Sequence, residues 1–149
     1  SEGKADFVRQ LGASEVIVAN EADWAAQVRA LTSGRGADII IDHVGGAHLE
    51  MSLRCLADRG RLVVAGGHGG EHPSLDVVEV FRHEYRLLGV RSQRPDDVDS
   101  VLALAAAGVI TPHIADVLPL SQARDAHRQI EARRIQGKVV LQPTDGNEQ

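Results

Sequence analysis

Gly36-Ala37-Asp38-Ile39-Ile40-Ile41-Asp42-His43-Val44-Gly45-Gly46 decides the fold of this chain, and Gly60-Arg61-Leu62-Val63-Val64-Ala65-Gly66-Gly67 repeats its pattern further on. Each is a short β-branched run that ends in glycines, the form in which a buried parallel strand delivers its C-terminal end to a ligand crevice. Two such units separated by one helix predict a doubly wound α/β domain with a nucleotide or cofactor site at the strand ends. No G-x-G-x-x-G precedes them, so the phosphate-cradling turn of such a site is absent from this sequence.

Outward from this pair the alternation continues. Lys4 to Leu11 places Phe7, Val8 and Leu11 on one helical face, and Gly12 stops that helix. Glu15 to Val18 reads as a brief strand, and Glu21 to Leu31 as a helix carrying Trp24, Val28 and Leu31. Strands are predicted at 38–42 and 61–65, with a helix at 49–56 between them. A helix from Pro73 to Arg82, a strand at 86–90 and a helix at 95–107 follow. The chain closes with a strand at 114–118, a helix capped by Ser121 and running to Arg134, and a strand at 137–141. Parallel pairing through right-handed crossovers is the expected arrangement, with the 86–90 strand at the far edge.

A chain of 149 residues is expected to form one domain with a sizeable core. The net charge of −5, with acidic and basic residues interspersed, argues against nucleic acid and a polybasic membrane surface as partners. No apolar run is long enough to span a membrane, and Ser1-Glu2-Gly3-Lys4-Ala5-Asp6 lacks the apolar core of a signal peptide, so the expected location is cytoplasmic. The single cysteine, Cys55, excludes an internal disulfide and reads as a small core hydrophobe within Leu53-Arg54-Cys55-Leu56. His68 and His72 are four apart, but the glycines around them forbid the helix that would give the spacing meaning. No metal site is expected.

Taken together, Phe7 to Ile17, Thr32-Ser33-Gly34-Arg35-Gly36-Ala37-Asp38, Asp42-His43-Val44-Gly45-Gly46, Gly60-Arg61-Leu62-Val63 and Gly137-Lys138-Val139-Val140-Leu141 resemble the medium-chain dehydrogenase/reductase superfamily, specifically its zinc-free quinone oxidoreductase branch. The resemblance implies a partial Rossmann-type NAD(P)-binding domain over residues 1–149, with a C-terminal return segment. It further implies hydride transfer from NADPH to a small-molecule quinone, enone or other activated double bond. In the sheet order that it implies, the strand at 15–18 and the strand at 38–42 each pair with a strand that is absent. The chain is therefore expected to be part of a longer polypeptide or to need a complementary chain, and to be inactive alone. A homodimer joined at the 86–90 edge is the oligomer implied. A synthase enoyl reductase domain and a non-catalytic structural or interaction remnant stay open as alternatives.

By the same resemblance, Ser1 and Lys4 lie near the adenosine 2′-phosphate of NADPH, where hydroxyl donors and an ammonium suit a phosphate dianion. Val44 and Gly45, with Ala65, Gly66 and Gly67, border the cofactor at the two strand ends, where little side-chain bulk lets backbone approach a ribose or nicotinamide. Arg134 or Lys138 reaches a phosphate from the final turn. No residue is expected to act as an essential acid, base or nucleophile. A valine at Gly66 is expected to slow turnover while leaving the fold in place.

Overall fold

The computed structural model describes residues 2–18, 23–91 and 94–143. The chain forms two compact units, residues 1–93 and 94–149. The first contains α1 (Glu2–Gln10), α2 (Trp24–Leu31), β1 (Ala37–Asp42), α3 (Ala47–Arg54), β2 (Leu56–Val64), α4 (Val77–Arg82) and β3 (Arg86–Gly89). Its three strands pair in parallel in the order β1-β2-β3, so the strand expected at the far edge lies at an edge. The class is α/β with a parallel, partial Rossmann-like sheet, as the quoted runs predict.

Local sequence chemistry sets the helix ends. Asp23 caps α2 by accepting the Ala26 N–H at 3.2 Å, and Asp76 caps α4 by accepting from Val78 and Glu79. The Asp76 cap is why this helix starts at Val77 rather than Pro73. At the other end of α2 the Thr32 hydroxyl donates to Val28 O at 2.8 Å and accepts the Gly36 N–H at 2.9 Å, tying the helix to the approach of β1.

β2 is the middle strand and carries the packing. Leu56 and Leu62 are buried with Leu49 of α3, and Ile40, Leu53, Val64 and Tyr85 pack around them. Burying one such leucine contributes about 1.5–3 kcal/mol. β1 and β3, at the edges, leave Ile39, Ile41, Leu87 and Leu88 exposed.

The strand pairing corrects two further expectations. Glu15 to Val18 is not a strand, because it has no hydrogen-bonded partner strand among the described residues and a strand exists only as one of a pair. α3 ends at Arg54 and β2 begins at Leu56, five residues before the predicted start at Arg61. The sequence hides that start because Ala37 faces Leu56 while Ile39 faces Arg61, so Ala57 to Gly60 bulge out of register, with Arg59 at φ +60°.

The second unit contains α5 (Pro95–Ala106), β4 (Ile114–Pro119), a 3₁₀ turn (Leu120–Gln122), α6 (Ala123–Glu131) and β5 (Lys138–Gln142), with β4 and β5 parallel. Pro95 opens α5, with Asp96 and Asp97 in its first turn. Ser121 is not the expected N-cap: it sits inside the 3₁₀ turn, and α6 starts after Gln122 with no side-chain cap. α6 stops before Arg134 because Arg133 turns left-handed at φ +54°.

Candidate functional site

The C-terminal ends of β1 and β2 lie side by side, Asp42 opposite Val64, and the turns that leave them interlock. The Ala65 N–H donates to Asp42 O at 2.8 Å, and the Gly69 N–H donates to Val44 O at 2.7 Å. Residues 65–70 are thereby held along residues 42–46.

The contact is close enough to require glycine. A Cβ on Gly66 would stand 2.4 Å from the His43 carbonyl oxygen, one on Gly46 2.5 Å from Gly69 O, and one on Gly45 2.9 Å from the Gly67 Cα. Gly45 and Gly46 also adopt φ of +74° and +54°. Gly67 differs. Among the described residues, its chain neighbours aside, the only atom within 4 Å of its Cβ position is Gly70 O at 3.8 Å, and the residue is exposed. Among the residues chosen from sequence, Gly45 and Gly66 thus give their missing side chains to each other's turns, and Gly67 keeps open space beside it. Val44 is exposed and Ala65 half-buried on the same pair of turns.

Asp42 organises this edge, and the sequence reading missed it. Its Oδ1 accepts the N–H groups of Val44 at 2.7 Å and Gly45 at 2.9 Å. The residue is only 5% exposed, and Oδ2 is buried without a hydrogen-bond partner among the described residues. The signal was present: an aspartate that ends an apolar run and precedes x-V-G-G is placed to bond the backbone two and three residues on.

The remaining selected residues lie elsewhere. Ser1 is outside the described residues. Lys4 is exposed on α1. Arg134 and Lys138 belong to the second unit, both exposed, with their N–H groups bonded to Gln129 O at 3.1 Å and His113 O at 2.9 Å. The structure therefore brings together Val44, Gly45, Ala65, Gly66 and Gly67, and leaves Lys4 on a separate helix.

His68 lies in a turn and His72 outside any helix, so their spacing has no ligand geometry. Among the described residues no three His, Cys, Asp or Glu side chains form a group that could hold a metal ion. Cys55 is fully buried, and burial pushes its thiol above the ordinary value, with Arg29 acting in the opposite direction. That environment suits a core residue rather than a nucleophile.

Two cavities of the first unit lie away from the strand ends. One of about 360 Å³ has Glu50, Leu53, Val80 and Tyr85 in its wall, and one of about 560 Å³ has Ile17, Trp24, Val28 and Leu31. Neither includes the glycine turns. The strand-end crevice has a single wall, because β1 has no partner on its outer edge among the described residues.

Residues 11–141 match the family described as zinc-binding dehydrogenase. Similar proteins include the 2-haloacrylate reductase of a Burkholderia species, 30% identical over 96% of this chain and 46% of that protein. The quinone oxidoreductase of Pseudomonas aeruginosa is 31% identical over 96% of this chain and 47% of its own length. The chain thus spans about half the length of these relatives. Among solved structures, an NAD-dependent alcohol dehydrogenase superposes with a TM-score of 0.83 at 35% identity, covering 97% of this chain and 42% of that one. Mycobacterial Rv1454c complexed with NADPH superposes with a TM-score of 0.76 at 28% identity, covering 96% and 47%. With the family matched over most of its length on a parallel sheet of the same architecture, this chain belongs to the zinc-binding dehydrogenases of the medium-chain dehydrogenase/reductase superfamily.

Proposed function

We propose that the interlocked turns after β1 and β2 seat the nicotinamide half of NADPH, and that the protein is an oxidoreductase of the quinone oxidoreductase branch acting on a quinone, an enone or a similarly activated double bond. The observation that carries this reading is the space beside Gly67, next to turns whose other glycines are consumed by backbone packing. A flat ring and its carboxamide fit against open backbone of that kind, at the strand end where α/β sheets bind ligands.

Bound there, NADPH would supply the hydride, and the work left to these residues is geometric. Ala65 and Gly67 would offer backbone to the ring, and Val44 would set its height on the β1 side. Lys4 would meet the 2′-phosphate. The family description names zinc, but the described residues present no ligand group that fits it, so no step is assigned to a metal.

The test is made on a polypeptide that carries these residues together with a strand able to pair with the outer edge of β1: it is titrated with NADPH and NADH, followed by nucleotide fluorescence, and assayed for NADPH oxidation in the presence of a quinone or an enone. Saturable binding tighter for NADPH, with acceptor-dependent oxidation, is the expected result. Absence of saturable binding of either nucleotide would leave a non-catalytic module and overturn the proposal.

A further inference from the structure

We propose that Asp42 is the positioning residue of this crevice, coupling the two glycine turns into one piece so that the backbone facing the nicotinamide is fixed from both sides. The inference rests on the reading of the turns as a cofactor seat.

The coupling runs through a single peptide unit. The peptide joining Val44 to Gly45 donates its N–H to Asp42 Oδ1 at 2.9 Å, and its carbonyl accepts the Gly69 N–H at 2.7 Å. Because that unit is planar, a bond that fixes one side fixes the direction of the other. The carboxylate on β1 thus sets the direction in which the 65–70 turn is held. A second tie runs in parallel: the backbone carbonyl of Asp42 accepts the Ala65 N–H at 2.8 Å. One residue holds both ends of the neighbouring turn, although it bonds that turn directly only once.

The arrangement has a cost that packing does not explain. Oδ2 is buried without a hydrogen-bond partner among the described residues, and an unsatisfied buried acceptor is destabilising. A residue serving stability alone would not need that oxygen. The acceptor at Oδ1 is what orients the Val44–Gly45 peptide while Gly45 sits at φ +74°.

D42A and D42N separate the roles, since asparagine keeps an oxygen at the Oδ1 position and alanine does not. Two quantities are read: hydrogen exchange at the Gly69 amide, which Asp42 does not touch, and the Kd for NADPH. In D42A, Gly69 should exchange about tenfold faster while the Leu62 to Val64 amides keep their protection, and the NADPH Kd should rise about tenfold. D42N should restore both to within about threefold of wild type. If D42A loses its fold, D42V, which also lacks an acceptor and suits a strand end, takes its place in the comparison with D42N. Unchanged Gly69 exchange in D42A or D42V overturns the coupling, and a D42N as impaired as the variant without an acceptor overturns the role of Oδ1. A wild-type protein that binds no NADPH while Gly69 still responds removes the functional reading, and with it the positioning of a cofactor.

Discussion

Gly66 faces the carbonyl oxygen of His43 so closely that a Cβ on it would lie 2.4 Å away. That contact is backbone against backbone, and neither side can swing aside as a long side chain could. The expectation that a valine here would leave the fold in place is therefore corrected, because the first effect is on the pairing of the two turns. G66A should lower the unfolding free energy by about 1–3 kcal/mol, with G66V worse. G67A, whose Cβ would meet Gly70 O at an ordinary contact distance of 3.8 Å, should stay within about 0.5 kcal/mol of wild type. Urea denaturation of the three variants checks this, and equal losses at Gly66 and Gly67 would show that the close approach is not what the structure says it is.

How much of this was legible in sequence differs between the two ends of the same strand. The C-terminal ends of β1 and β2 were readable because β-branched runs that stop at glycine leave little alternative. The start of β2 was not, because Leu56-Ala57-Asp58-Arg59-Gly60 continues the apolar spacing of α3, and only the parallel pairing of Leu56 with Ala37 reveals a strand. Glu15 to Val18 carries strand propensity with no partner strand among the described residues, a tertiary condition that propensity cannot report. The glycines at the strand ends stand out in the sequence, but their division between packing and open space depends on distances between turns some twenty residues apart. Asp42 was legible in principle, as turn chemistry, and was overlooked for the glycines beside it.

Arg29 fastens three elements with one side chain. Its Nε donates to Arg54 O at 2.9 Å, Nη1 to Gly34 O at 3.0 Å and Nη2 to Leu56 O at 3.4 Å, joining the ends of α2 and α3 to the start of β2. Lysine keeps the charge but cannot spread donors over three carbonyls. R29K should therefore cost about 1–3 kcal/mol, measured by thermal or urea unfolding. A variant as stable as wild type would mean that water serves those carbonyls equally well.

Cys55 and Tyr85 give the fold a defined alkaline weakness. Burial raises both groups above their ordinary values of 9.0 and 10.0, so the folded state holds each proton after the unfolded chain has begun to lose it. Stability from this source is complete below the unfolded values and is lost as pH climbs towards the folded ones. Urea midpoints should thus be unaffected by these groups near neutrality and fall above about pH 9. C55A should remove the earlier part of that fall and leave the later part to Tyr85. An unaltered profile in C55A would show that the thiol does not titrate differently in the two states.

Lys4 tests the cofactor preference without touching the glycine turns. It is exposed on α1, so its replacement disturbs little packing, and a change in nucleotide affinity reports on charge. If its ammonium meets the 2′-phosphate, K4E exchanges attraction for repulsion at a dianion, and the NADPH Kd should rise tenfold or more, about 1.4 kcal/mol or above. NADH, which has a free ribose hydroxyl there, should bind as before. The rise should also shrink as salt is added, since an exposed pair is screened over about 8–10 Å. Equal weakening of both nucleotides would assign Lys4 to the stability of α1, and an unchanged NADPH Kd would place the 2′-phosphate beyond its reach.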